Sequence, residues 1–370
     1  MRVAILGTRG IPARYGGFET NAEISALFLA GKGHQVTVYG RKKIARPADW
    51  PKNLKLARVP YLPGKYLGTF SHTFFSLLHT LFHRPDILHI YNVGNGPLLL
   101  IPRLFGLKTL VAVDGADWER KKYPWLAKTY IKFSAWCTVK LANVLIADSR
   151  QMVNYYYRNY RVRPEFIPYG GEILKRAPKS AILKKYHLKP HKYCLAVSRF
   201  VPEKNIPLLI GAYKKSLIKF PLVIVGGNRD NAAYVKHLHQ IGRGQAGKRR
   251  IIFSGSIFDH NLDTLYKQAY AFISASELEG TSPAILKAMG AGTAVLTSDI
   301  AENRETVAES GFYHRVGDER NLTDKINWLA AHPKTVALFG LKGQKRVQQY
   351  YHWPDIMAIY LKLLQKTKAA

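Results

Sequence analysis

The sequence predicts an α/β protein of two Rossmann-like domains. Short apolar runs alternate with helix-length segments through the chain, the alternation occurs in two series, and a Pro-punctuated stretch separates them. The length of 370 residues agrees, since at roughly 150 residues per domain two are expected. In the first series Arg2 to Leu6 is an apolar run closed by Gly7, followed by a helical pattern from Glu19 to Leu29 that Gly31 and Gly33 stop. Further strands are read at Val36 to Tyr39, Ile87 to Tyr91, Thr109 to Val113 and Val144 to Ala147. After the stretch from Arg163 to Pro190 the second series runs through Tyr193 to Val197, Leu222 to Val225, Ile251 to Phe253, Ala271 to Ile273 and Ala294 to Thr297. The tail from Leu341 to Lys366 is helical in pattern, interrupted at His352-Trp353-Pro354, where Pro354 suits the first turn of a new helix. Open parallel sheets bind ligands at the carboxyl ends of their strands, so two facing sheets would place a site in the cleft between them.

Composition removes several function classes. With 47% hydrophobic and 22% charged residues the chain is neither disordered nor fibrous, and its Gly and Pro have no collagen period. Two cysteines, Cys137 and Cys194, cannot form a disulfide framework in a chain this long, which points to a reducing compartment, the cytoplasm. The start from Met1 to Gly7 reads as a strand and no signal peptide is expected. The longest uncharged stretch, Leu67 to Phe82, is short and polar for a spanning helix, so any membrane contact is expected at the surface.

The net charge is +32, with +16 over residues 1–165 and +16 over residues 166–370. A polyanionic partner is implied: nucleic acid, an anionic bilayer or phosphate-bearing substrates. Against nucleic acid, the charge is not concentrated in one half, and neither zinc-ligand spacing nor an RNA-recognition aromatic signature is found.

Three segments carry chemistry. The first βα junction holds Gly7, Gly10, Gly16 and Gly17 with Arg9 and Arg14 between them, residues that let backbone amides approach a phosphate. The full Gly-x-Gly-x-x-Gly dinucleotide fingerprint is absent, and Gly40-Arg41 stands where its acidic residue would fall. Tight-turn glycines are the plain alternative. The second segment, Glu279-Gly280-Thr281-Ser282-Pro283, follows a strand and opens a helix. Thr281 or Ser282 can cap it and Pro283 suits its first position, so the amides of Gly280, Thr281 and Ser282 are aimed to hold a diphosphate, with Glu279 beside it to accept from sugar hydroxyls. A routine helix start with Glu279 in solvent is the alternative. The third is Arg199 with Lys204 after the strand ending at Val197, one planar fork and one point charge suited to a diphosphate.

Taken together, these segments resemble glycosyltransferase family four, the large group of GT-B enzymes that use nucleotide-activated sugars. Gly7 through Thr20 is similar to a bacterial branch that includes rhamnosyltransferases of surface polysaccharide synthesis, and Ser198 through Asn205 resembles the family's donor-diphosphate segment. Glu279 to Pro283 is similar to the first half of its paired-glutamate motif. Asp114-Gly115, with Trp118, resembles that branch's acceptor-side loop, and His352-Trp353 the tail that returns to the first domain. The resemblance implies GT-B architecture: an acceptor domain over 1–170, a nucleotide-sugar domain over 171–350 and a returning helix over 351–370. It implies that Glu279 grips the donor sugar, that Arg199 and Lys204 neutralise the leaving diphosphate, and that Gly16 and Gly17 close over its phosphates. Asp114 is the acceptor-side candidate, polarising a hydroxyl or orienting the sugar, with helix capping as the alternative reading.

One position departs from the family. Eight residues after Glu279, where a second glutamate normally accepts from the nucleotide ribose, stands Lys287, which offers only donors. Three readings follow: a deoxyribose donor with one hydroxyl fewer, a salt-bridged or reoriented Lys287 that meets phosphate, or a partner subunit with weakened catalysis.

The expected reaction is transfer of a sugar, rhamnose in that branch, from a nucleotide-diphosphate sugar to a glycan or polyprenyl-linked acceptor, with retention of configuration. No Asp-x-Asp signature is present, and the cations make a metal unnecessary. The charge is expected to serve an anionic membrane surface: Trp125, Leu126, Tyr130, Ile131, Phe133 and Trp136 are interleaved with lysines. Helices with one buried face and ordinary solvated lysines on the other are the competing reading.

Overall fold

The computed structural model describes residues 1–13, 16–41, 46–64, 67–113, 124–228, 231–244 and 250–369. The chain divides into two units, Met1–Pro168 with Pro354–Ala370, and Tyr169–Trp353.

In the first unit the order is β1 (Arg2–Leu6), α1 (Gly17–Gly31), β2 (Gln35–Gly40), β3 (Leu54–Arg58), α2 (Leu67–His83) and β4 (Ile87–Tyr91). A 3-10 turn over Val93–Leu99 then runs into α3 (Leu100–Leu104), followed by β5 (Lys108–Ala112), α4 (Trp125–Leu141), β6 (Val144–Ala147), α5 (Arg150–Tyr160) and β7 (Glu165–Phe166). The strands pair in parallel in the order β3-β2-β1-β4-β5-β6-β7. All five residues of β4 are buried, as a strand covered by helices on both faces requires, and this is why it reads as a continuous apolar run rather than an alternating one. The ends of β1 and β4 touch: a Cβ on Gly7, whose φ is +88°, would lie 2.2 Å from the Tyr91 carbonyl oxygen. Only glycine fits there, so Gly7 is held by packing.

The second unit follows with α6 (Ile182–Lys185), β8 (Cys194–Val197), α7 (Ile206–Lys215), β9 (Leu222–Val225), α8 (Ala232–Gly242), β10 (Ile251–Gly255), α9 (His260–Lys267) and β11 (Ala271–Ser274). It continues through α10 (Pro283–Gly290), β12 (Ala294–Ser298), α11 (Ala301–Val307), β13 (Phe312–His314), α12 (Glu319–Ala331) and α13 (Pro333–Tyr350). Its parallel sheet has the order β10-β9-β8-β11-β12-β13. The chain winds outward from β8 to β10 on one side and, from β11, outward on the other, so the direction of winding reverses between β8 and β11.

Helix α14 (Trp353–Ala369) belongs, from Pro354 onward, to the first unit. Tyr360 is buried there and shares a 2.7 Å hydrogen bond with Nδ1 of His89 on β4, while Lys368 pairs with Asp86 at 3.3 Å. The Leu67–His83 segment is a helix, and no helix among the described residues is long and apolar enough to cross a membrane. Three strands escape the sequence reading: β3, β7 and β13. Each lies at a sheet edge, where strands are short and carry charge or polarity that blurs the apolar run.

Candidate donor site at the carboxyl ends of β8 and β11

The point where winding reverses is where an open parallel sheet leaves a crevice beyond its strands. In the second unit that crevice is lined by the connection after β8 and the connection after β11. The first begins at Ser198, whose N–H donates to the Val225 carbonyl at 3.1 Å. It is held to the end of β9, since the Phe200 N–H donates to Gly227 O at 3.2 Å and Asn228 Nδ2 donates to Phe200 O at 3.0 Å. Gly226 permits this closeness: a Cβ there would stand 1.8 Å from the Ser198 carbonyl oxygen. Arg199 is thereby set, half-buried, at the mouth of β8.

The chain then makes a 3-10 turn over Pro202–Lys204 and passes through Asn205 at φ +44°, a left-handed conformation that asparagine tolerates, before α7 begins. This turn is braced on the β11 connection, because the Glu277 N–H donates to Glu203 O at 2.9 Å and Asn205 Nδ2 donates to Glu277 Oε1 at 3.0 Å. With the two loops fastened together, Lys204 Nζ lies 2.5 Å from Glu279 Oε1. Both side chains are largely shielded, at 14% and 10% exposure. A shielded carboxylate is costly unless something offsets it, and here the offset comes from Lys204.

Gly280, Thr281 and Ser282 complete the β11 connection, with Thr281 and Ser282 buried. Ser282 occupies the N-cap position of α10 and Pro283 its first turn, yet the Ser282 side chain makes no capping hydrogen bond. The opening amides of α10 are therefore not consumed by their own cap, and together with the helix dipole they suit an anion. Lys287 lies farther along the same helix, and its ammonium pairs with Asp263 Oδ1 of α9 and sits 6.0 Å from the centre of the Tyr266 ring. The lysine is thus a salt-bridged one. Asp263 was not found from the sequence, because the pairing depends on how α9 packs beside α10. Lys287→Glu is expected to cost about 1–2 kcal/mol by setting two carboxylates against each other in a partly exposed pair, with Asp263→Lys in the same chain restoring most of it. Urea unfolding of the two single variants and the double variant measures this; strictly additive losses would remove the pairing.

Of the remaining candidates, Gly16 and Gly17 lie in the first unit, as N-cap and first residue of α1. The first turn of α1 is tied back to the β1 connection, since Glu19 Oε1 accepts from the Arg9 N–H at 3.0 Å. Asp114, with Gly115 and Trp118, lies outside the described residues.

The sequence of this unit matches the glycosyl transferases group 1 family over residues 179–346. Residues 100–172, in the first unit and at its boundary, match a domain of unknown function, DUF1972. The group 1 match spans all the strands of the second sheet and contains Arg199, Lys204, Glu279 and Lys287. The chain is 27% identical over 219 residues to the O-antigen chain mannosyltransferase RfbU of Salmonella typhimurium, covering 59% of this chain and 60% of that protein. Among solved structures it is similar to sucrose-phosphate synthase from Thermosynechococcus elongatus, with TM-score 0.81 at 19% identity over 100% of this chain and 99% of that one. It is also similar to Anabaena Alr3699/HepE in complex with UDP-glucose, with TM-score 0.80 at 17% identity over 99% and 100%. The fold, two parallel-sheet Rossmann-like domains, is that of GT-B glycosyltransferases. The reversal point between β8 and β11 falls within the residues that match the group 1 model.

Proposed function

We propose that this chain is a nucleotide-sugar-dependent glycosyltransferase of cell-surface polysaccharide synthesis. It would move a hexose-type sugar, mannose as in the relative or rhamnose as the Gly7–Thr20 segment suggests, from a nucleoside diphosphate to a glycan or polyprenyl-linked acceptor at the cytoplasmic face of the membrane. The observation that carries this reading is the shielded Lys204–Glu279 pair at the start of α10, inside the group 1 domain. The UDP-glucose bound to the HepE neighbour supports a donor of this class.

A nucleoside diphosphate is already a good leaving group, so the protein's task is to stabilise the charge that grows on it and to position the acceptor hydroxyl. Lys204, Arg199 and the α10 amides supply that stabilisation without a metal. Glu279 has two parts: it holds Lys204 in place before the donor arrives, and it then accepts from the sugar's hydroxyls while Lys204 leans toward the phosphates. Attack from the face that diphosphate leaves would retain the anomeric configuration. Lys287, which stands where the resemblance would have a ribose-binding glutamate, enters this reading as one half of a salt bridge with Asp263.

A thermal-shift screen of nucleotide sugars tests the reading. At a hundred times its dissociation constant a ligand specific to the folded state stabilises by about 2.7 kcal/mol, which moves the transition by several degrees. One nucleoside diphosphate sugar is expected to do so, and the purified chain is expected to hydrolyse or transfer that sugar alone. If no such compound shifts the transition, the donor reading is wrong; binding without turnover would instead favour a catalytically weakened partner subunit.

A further inference from the structure

We propose that the outward face of α4 docks the protein on an anionic lipid bilayer. This rests on the surface of the first unit alone and stands whether or not the chain transfers sugar. An ordinary surface helix turns its large apolar residues inward, whereas α4 leaves Trp125, Leu126, Phe133 and Trp136 exposed. Beside Ile131 and Cys137, its buried face consists of the small residues Ser134, Ala135 and Thr138, and Ser134 is bonded to the 3-10 turn over Val93–Leu99. The approach is so close that a Cβ on Gly96 would stand 1.9 Å from the Ser134 carbonyl oxygen, and Ser134 Oγ both accepts from the Gly96 N–H at 2.9 Å and donates to Val93 O at 2.6 Å. One ring of α4 reaches the same turn: the Tyr130 hydroxyl donates to Gly94 O at 2.9 Å.

The other rings point to water. Trp125 is 70% exposed, Phe133 52% and Trp136 50%, with Leu126 beside them and Phe133 stacked on Trp136 at 6.1 Å between ring centres. Among the large apolar residues of this helix Ile131 is buried, while Trp125, Leu126, Phe133 and Trp136 are exposed. Clustered exposure of this kind marks an interaction surface.

Charge selects the partner. From Arg120 to Ala147 the sequence has six basic residues and no acidic one, and of the lysines on α4, Lys132 and Lys140 are exposed with the rings. Tryptophan rings at headgroup depth, with ammonium groups among anionic phosphates, are what such a face fits. A second copy fits it poorly, because a two-fold contact would set lysines on lysines. Nucleic acid would use the lysines but leave Leu126 and Phe133 without an apolar medium. Helix α3 ends in a second outward apolar tip at Leu104 and Phe105, with Arg103 exposed beside it.

Vesicle flotation tests this with the full chain. Wild-type protein is expected to float with phosphatidylcholine vesicles containing 30% phosphatidylglycerol, to stay behind with pure phosphatidylcholine, and to release as salt is raised. The Trp125→Ser/Phe133→Ser/Trp136→Ser variant should lose at least tenfold in vesicle affinity while its circular dichroism and melting transition are unchanged. Lys132→Gln and Lys140→Gln should each weaken binding by about fivefold. The proposal is overturned if wild type does not float or if the triple variant floats as wild type does. It is equally overturned if gel filtration shows a dimer that the triple variant breaks, or if duplex DNA is bound in preference to the anionic vesicles.

Discussion

Lys204→Ala is expected to slow sugar transfer by about 10²–10³-fold, the usual cost of removing one preorganised group that stabilises charge in a transition state. The same substitution should also destabilise the second unit. Glu279 is only 10% exposed and its carboxylate is 2.5 Å from the lysine, so removing the lysine strands a shielded charge. Breaking a buried pair from one side costs about 3–5 kcal/mol, and the residual exposure here places the expected loss near the lower figure. Stability and turnover can be separated. Lys204→Ala with Glu279→Gln removes both charges, and it should recover most of the melting temperature while leaving transfer at the level of the single variant. Steady-state kinetics and thermal unfolding on the three variants measure both quantities. A double variant with near-normal kcat would show that the pair is only structural.

The second large effect concerns acid stability of the first unit. His89 is wholly buried between β4 and α14, and burial pushes its imidazole down to about 3. Its Nδ1 is bonded to Tyr360, whose hydroxyl is itself pushed strongly upward by burial. Nε2 meets no hydrogen-bond partner among the described residues. In the unfolded chain the same imidazole takes a proton near pH 6.5. Between those two values the unfolded state binds the proton and the folded state does not, so stability falls as pH falls. The contribution is complete above pH 6.5, shrinks through the window and is gone near pH 3, a total on the order of 4 kcal/mol. His89→Gln keeps an acceptor for Tyr360 and does not titrate. Compared with wild type by urea unfolding, it should lose about 3 kcal/mol less between pH 7 and pH 4. Equal losses in the two proteins would mean that His89 is protonated within the fold. Since Tyr360 is on α14, the terminal helix should be the first element to become protease-sensitive in acid.

Much of the candidate site is legible from sequence because its parts are local. Glu279 to Pro283 announces a helix start, since proline and the hydroxyl residues have positional meanings at an N-terminus. Arg199 and Lys204 follow an unmistakable apolar run that forms β8. That Lys204 meets Glu279 is not legible. It requires β8 and β11 to be neighbours and their connections to be fastened through Glu203, Asn205 and Glu277, which is a matter of strand order. The same holds for Asp263, whose bond to Lys287 joins two helices.

The amino-acid order alone fixed the class of this protein: two series of strand and helix, a charge excess shared by both halves, and turn residues at the mouths of particular strands. Those properties are read within windows of a few residues, because apolar periodicity and turn chemistry act over that range. Tertiary structure decided what a window cannot contain. It paired the shielded lysine with the glutamate, gave Lys287 its carboxylate, and set Trp125, Phe133 and Trp136 of α4 outward while Ser134 closed on Gly96. A helix pattern shows that a stripe is apolar, but which stripe is covered depends on the shape of what it packs against.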